Sequence, residues 1–175
     1  MAFRQMVSAA MLAGALLGAS VSTGFSARDA AVSTSGLPVP RYVSLKSDHV
    51  NVRAGPTKDN DVAWVYTRSG LPVEITAEFE NWRRVRDSEG AEGWVYHSLL
   101  SGRRTAVISM KNKDDLATLY ERADPSSGIA ARLQAGVVAQ VKKCVAGWCH
   151  IAGTGFDGWI EQQRLWGVYA DEKVE

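Results

Sequence analysis

One stretch of this chain occurs twice. Gly70, Leu71, Pro72, Val73, Glu74 and Ile75 lead through Asn81, Trp82, Arg83, Arg84 and Val85 to Gly93, Trp94 and Val95. The same order returns in Gly136 to Val141, then Gly147, Trp148, Cys149, His150 and Ile151, then Gly158, Trp159 and Ile160. The offset is 66 residues at the first Trp and 65 at the second, so the later copy is one residue shorter in a turn. Upstream, Arg53, Ala54, Gly55 and Pro56 answer to Arg122, Ala123, Asp124 and Pro125, and Val62, Trp64 and Tyr66 answer to Ile129, Ala131 and Leu133. Self-similarity at a fixed offset marks a structural unit repeated in tandem.

Those last triplets alternate with period two, which is strand behaviour. Each copy reads as several short strands separated by Gly, Asn, Asp or Pro, and neither has an amphipathic run of three helical turns. The expected fold class is all-β. About sixty residues of short strands predict a small barrel, which closes its own sheet edges. We place barrel one at 41–102 and barrel two at 113–169, with a connecting segment over 103–112. Thr105 to Ser109 in that connector is an apolar extended run able to pair with either barrel.

The amino terminus has a different character. Arg4 precedes an apolar run from Met6 to Gly18, too short for a membrane-spanning helix, which needs roughly 20 residues. This is the pattern of a signal peptide, expected over 1–27, and it implies a periplasmic or secreted protein. Residues 28–40, rich in Ala, Ser and Thr with Pro38 and Pro40, are expected to form a flexible linker, and 170–175 a tail. Twenty Lys and Arg stand against 19 Asp and Glu, and removing Arg4 with the signal makes the two equal. A chain without a basic field is not expected to bind nucleic acid.

The lettering resembles the bacterial Src homology 3 type (SH3b) domains, which share N-V-R-x-G-P at the first strand, G-x-x-V near the middle, then W-x-x-V and G-W-V. Here these are Asn51 to Arg53 with Gly55 and Pro56, Gly70 with Val73, Trp82 with Val85, and Gly93 to Val95. Copy two departs from the pattern. It has Tyr120 and Glu121 where Asn51 and Val52 would be expected, and Asp124 for Gly55. The resemblance implies a five- or six-stranded barrel and a cell-envelope role, often gripping peptidoglycan, without catalysis. Leu119, Tyr120 and Glu121 are similar to the acidic-aromatic motif of eukaryotic relatives that bind proline-rich peptides, a match of one short triplet.

Cys144 and Cys149 are the only thiols, and in an exported chain they are expected to pair. Two hairpin registers compete. A three-residue loop ending at Asn81 or Gly147 keeps Ile75 with Val85 and Val141 with Ile151, but sets the two Cys on opposite faces. A two-residue turn at Ala146 and Gly147 sets the Cys directly across from each other and misplaces Ile151 unless a bulge restores it. Glu78 and Arg83 hold the equivalent places in copy one, where an ion pair fits.

Catalysis is not expected. Cys149 and His150 are neighbours on a strand and point to opposite faces, so they cannot form a nucleophile and base. Two Cys beside one His lack metal-site spacing, no Gly-rich phosphate loop is present, and no cofactor is expected. The remaining candidates are aromatic and basic. Trp94 and Trp159 read as core, and Trp166 and Tyr169 as seals of the second barrel. Arg53, Trp64, Tyr66, Trp82, Arg83 and Arg84 are the candidate ligand-binding residues, if Val65 and Val85 take the inward positions beside them. Such a groove would suit an extended peptide bearing carboxylates. The expected function is envelope binding, with peptidoglycan as partner. A periplasmic adaptor that recognises an envelope protein is the alternative, and a redox-responsive Cys144–Cys149 clip a third possibility.

Overall fold

The computed structural model describes residues 31–110, 112 and 115–175, so the expected signal segment lies outside the described residues. A short hairpin, β1 (Ala31–Val32) and β2 (Pro38–Val39), comes first. The first unit follows as β3 (Arg41–Leu45), β4 (Val50–Arg53), β5 (Val62–Tyr66), β6 (Pro72–Phe79), β7 (Trp82–Arg86), β8 (Glu92–Tyr96) and β9 (Leu100–Ser101). The second is β10 (Thr105–Ile108), β11 (Leu116–Tyr120), β12 (Ile129–Gln134), β13 (Val138–Val145), β14 (Trp148–Gly153), β15 (Phe156–Glu161) and β16 (Leu165–Trp166).

The two units share one topology. Their antiparallel sheets run β5-β4-β8-β7-β6-β3-β9 and β12-β11-β15-β14-β13-β10-β16, the same order strand for strand. Each sheet curls around its own core. In the first unit Trp64 at one sheet edge and Leu100 at the other pack on one cluster with Val50, Val52, Val73, Ile75, Val85 and Val95. In the second, Leu133 and Leu165 bracket Leu119, Val141, Ile151 and Ile160 in the same way. Each fully buried aliphatic contributes about 1.5–3 kcal/mol by leaving water.

Strand register revises how the copies align. Arg53 pairs with Trp94, and Tyr120 pairs with Trp159. Ala54 N–H donates to Asp61 O at 3.0 Å, and Glu121 N–H to Gly128 O at 2.9 Å. Tyr120 therefore stands in the place of Arg53, and Thr118 and Leu119 in those of Asn51 and Val52. The match of Arg53 to Arg122 is two residues out of step, because shared letters in a loop outvoted the alternation of the strand before it.

The second hairpin register is the one adopted. Ala146 (φ 50°) and Gly147 (φ 78°) form a two-residue turn of the left-handed kind that suits strand twist. Cys144 lies directly opposite Cys149, and their sulfurs are bonded at 2.03 Å. A bulge between Val141 and Lys143 returns Ile151 to its place opposite Val141. A loop this short is worth about 2 kcal/mol in the chain-entropy model. Copy one is built alike, with a bulge between Ile75 and Ala77 and Glu78 opposite Arg83. There the left-handed turn residue is Glu80 (φ 47°).

Three segments read as connector, linker and tail prove to be structural. Thr105–Ile108 is a strand of the second sheet, between β13 and β16, so the connector ends before it. Its apolar residues favour this side because Ala106 and Ile108 enter the second core. The expected linker contains the β1–β2 hairpin, whose turn is fastened to Glu78. Ser35 N–H and Oγ donate to that carboxylate at 3.0 and 2.9 Å, and Thr34 Oγ1 at 3.2 Å. Low hydrophobicity argued for disorder, but hydrogen bonds to one buried acid order the turn instead.

The tail returns across the second unit. Cys144 N–H donates to Val174 O at 2.8 Å, and Glu172 pairs with Arg104 at 2.6 Å. Trp166 and Tyr169, assigned to sealing barrel two, reach the first unit instead. The Tyr42 ring lies 5.1 Å from Trp166 and 4.6 Å from Tyr169, and Tyr169 Oη donates to Glu74 Oε1 at 2.9 Å. Burial, then the Glu74 charge, pushes the Tyr42 hydroxyl up to about 12.

Burial opposes the charge on Glu78, but hydrogen bonds from Arg41 and the Ser33–Ser35 turn outweigh it and hold its carboxyl at about 2, against 4.5 ordinarily. A depressed carboxyl stabilises the fold above its unfolded pKa, and that contribution is lost as pH falls through the folded value. Stability should therefore decline between about pH 4.5 and 2. Acid titration of Glu78→Gln checks this: its slope in that window should be shallower than that of the parent, and equal slopes would contradict the assignment.

Candidate functional site

Alternation along each strand decides which candidate residues can meet a ligand. Directly opposed residues share a face, so Arg53 on β4, Trp94 on β8 and Arg84 on β7 form one row across three strands. The row faces outward, because Val52, Val95 and Val85 beside its members are all buried in the core. Trp82 and Tyr96 form the next row, packed edge to face with centroids 5.4 Å apart. Trp82 is only 8% exposed although it lies on the outer face, since neighbouring rings cover it.

Both arginines of the row are held in place. Arg53 donates to Asn60 O at 2.6 Å, and Arg84 pairs with Glu92 at 2.6 Å. The half-buried indole of Trp94 lies between them. A planar aromatic surface flanked by two oriented guanidinium groups can stack on an apolar or sugar face while pairing with carboxylates on either side.

The other three candidates point inward. Trp64 and Tyr66 on β5 lie opposite Val52 and Val50 and pack on the first core, leaving Val65 on the outer side. The expectation that Val65 faces inward is corrected by this pairing. Tyr66 Oη donates to Asp87 Oδ2 at 3.0 Å, and burial together with that carboxylate pushes the phenol well above its ordinary range. Arg83 points inward toward Glu78, with Nε at 3.1 Å from Glu78 Oε1, and donates to the carbonyls of Glu80 and Trp82. It is a structural cation, not part of a binding groove.

The expected groove thus divides into an outer set of Arg53, Trp82 and Arg84 and an inner set of Trp64, Tyr66 and Arg83. Trp94 and Tyr96 complete the outer set, although Trp94 read as core. The signal was present in the triplet Gly93, Trp94, Val95. Gly93 is tiny because Val52 and Trp64 press against it from inside: an added Cβ would overlap Val52 Cγ1 and lie 3.1 Å from Trp64 Cη2. With Gly93 and Val95 inward, Trp94 must be outward.

The second unit carries the same row with different chemistry. Tyr120, Trp159 and His150 replace Arg53, Trp94 and Arg84. His150 stacks on Trp159 at 5.1 Å and meets Asp157 Oδ1 at 2.7 Å, where the first unit has its Arg84–Glu92 pair. Cys149 points into the core and is bonded to Cys144, so it offers no thiolate to His150. Among the described residues no three His, Cys, Asp or Glu side chains gather as a metal site, and no helix is long and apolar enough to cross a membrane.

Comparison with known proteins places this architecture. No curated protein matches the chain. Among solved structures it is similar to NlpC2 from Trichomonas vaginalis (16% identity, TM-score 0.32, covering 73% of this chain and 48% of that one). NlpC1 from the same organism is matched at 17% identity and TM-score 0.32, covering 77% of this chain and 48% of that one. The endolysin LysPBC5 CBD is matched at 19% identity and TM-score 0.29, covering 71% of this chain and 90% of that one. The chain spans about half the length of the two Trichomonas proteins. The bacterial SH3 domain family model matches twice, over 46–102 and 113–167, one match to each curled sheet and together well over half of the sequence. With two sheets of one topology and two matches in register with them, the chain belongs to the bacterial SH3 domain family as a tandem pair.

Proposed function

We propose that this protein is a non-catalytic binding protein of the bacterial cell envelope, exported to the periplasm, and that it grips peptidoglycan with the outer face of its first SH3 unit. The observation that carries this reading is the row Arg53, Trp94 and Arg84: a half-buried indole between two oriented guanidinium groups. Wall stem peptides present carboxylates along an extended backbone, which such a row complements in charge and shape. The export pattern at the amino terminus and the family of both units agree with this reading. Holding suits the site better than chemistry does, because its arginines are fixed by their partners and both cysteines of the chain are locked in a disulfide of the other unit.

Cosedimentation with purified sacculi tests it. The full chain should pellet with sacculi above a control protein of similar charge, and Arg53→Ala with Arg84→Ala should weaken retention by roughly tenfold or more, the scale of losing two charge-assisted contacts. Pelleting no greater than the control removes peptidoglycan as the ligand.

A further inference from the structure

Between the two units lies a cleft of about 670 Å³ that neither has alone. Its first wall comes from barrel one and the connector: Lys46 just after β3, Arg68 in the turn before β6, Ser101 at the end of β9, and Arg103 in the connector. Its floor comes from barrel two, where Thr105 of β10 and Gln140 of β13 are paired neighbours on the outer face. A cleft of this size falls within the range of small-molecule sites, roughly 300–1,000 Å³.

Its charge is one-sided. Lys46, Arg68 and Arg103 line it, and no Asp or Glu does. This is a local concentration, since the whole chain has a net charge of only +1. Among the described residues none of the three cations takes part in an ion pair. Arg68 reaches the other unit, donating from Nη1 to Gly136 O at 3.2 Å, which orients its guanidinium and leaves further N–H groups free to donate. Thr105 of the floor is 5% exposed and its hydroxyl lies beneath the cleft surface, so the cations carry the chemistry of the cleft.

We propose that the inter-barrel cleft is an oxyanion-binding site, in which Arg68 and Arg103, with Lys46 beside them, pair with the oxygens of a carboxylate or phosphate group. The ligand is a small anion or the charged end of a larger one. The site lies apart from the Arg53–Trp94–Arg84 face and does not depend on the envelope reading.

The test is an amide NMR titration of the full chain with three probes: tri-glutamate, its neutral counterpart tri-glutamine, and inorganic phosphate. At least one anion should shift the amides of Ser69, Gly70, Ser101 and Gln140 saturably, while tri-glutamine should not. Stronger response to the peptide assigns the site to carboxylates, and stronger response to phosphate assigns it to phosphoryl groups. Arg103→Gln should weaken the responding anion roughly tenfold. Arg53→Ala with Arg84→Ala should leave this titration unchanged, and Arg103→Gln should leave sacculus pelleting unchanged, so the two sites fail separately. Silence from both anions, an equal response to tri-glutamine, or an unaltered Arg103→Gln would overturn the proposal.

Discussion

Glu78→Ala should destabilise the protein by about 3 kcal/mol or more, the usual scale for removing one partner of a buried ion pair. The Glu78 side chain is 1% exposed and faces two guanidinium groups, Arg41 at 2.7 Å and Arg83 at 3.1 Å, themselves 17% and 11% exposed. Truncating the acid leaves both cations in a poorly hydrated place without a counter-charge. It also releases the β1–β2 turn, which has its Ser35 and Thr34 bonds to the same carboxylate. Urea denaturation of parent and variant measures the loss. A change within about 0.5 kcal/mol, the range of an ordinary surface substitution, would contradict this account of how the first hairpin is held. The second unit has no such sensitivity at the same place, since Cys144 and Cys149 bridge it covalently.

Gly93→Ala should cost a similar amount, about 3 kcal/mol, for a different reason. No unusual backbone angle is involved. The added methyl would overlap Val52 Cγ1 and crowd Trp64 and the carbonyl of Arg53, in a core with no slack. Val52 is fully buried, so it can yield only by moving β4. Gly158→Ala, the matching change in the second unit, provides an internal control. Its methyl would meet Tyr120 O at 3.0 Å, Ala130 Cβ at 3.1 Å and Leu119 Cβ at 3.3 Å, tight contacts without overlap. The expected cost there is about 1 kcal/mol. Equal losses for the two variants would contradict the packing described around Gly93.

Much of this architecture was legible in the letters, and each miss has a physical cause. The repeat, the short strands and the turn residues are local signals, and they led to two all-β units of one design. Which residue faces which way depends on pairing across strands. Trp64 and Tyr66 looked free because Val65 between them could have turned inward, and only the partners Val50 and Val52 decide otherwise. Arg122 looked like the counterpart of Arg53 because its letters matched, whereas the pairing of Tyr120 with Trp159 gives that place to Tyr120. The β1–β2 hairpin and the returning tail were hidden for another reason. Each is held by polar bonds to a residue far along the chain: Glu78 for the hairpin, Arg104 and the Cys144 backbone for the tail. The inter-barrel cleft could not be read at all, since its cations are scattered from Lys46 to Arg103 and gather only when the first unit folds, and its floor comes from the second unit.

The claim on which the functional account rests is that the outer face of the first unit, and not its core aromatics, meets the ligand. Titrating the isotopically labelled protein with soluble wall fragments released from sacculi by a muramidase addresses it directly. Saturable shifts of the Trp94 indole N–H and of the Arg53 and Arg84 amides, with the matching row of the second unit responding less, are the predicted result. Shifts confined to other faces, or no shift at millimolar fragment, would contradict it.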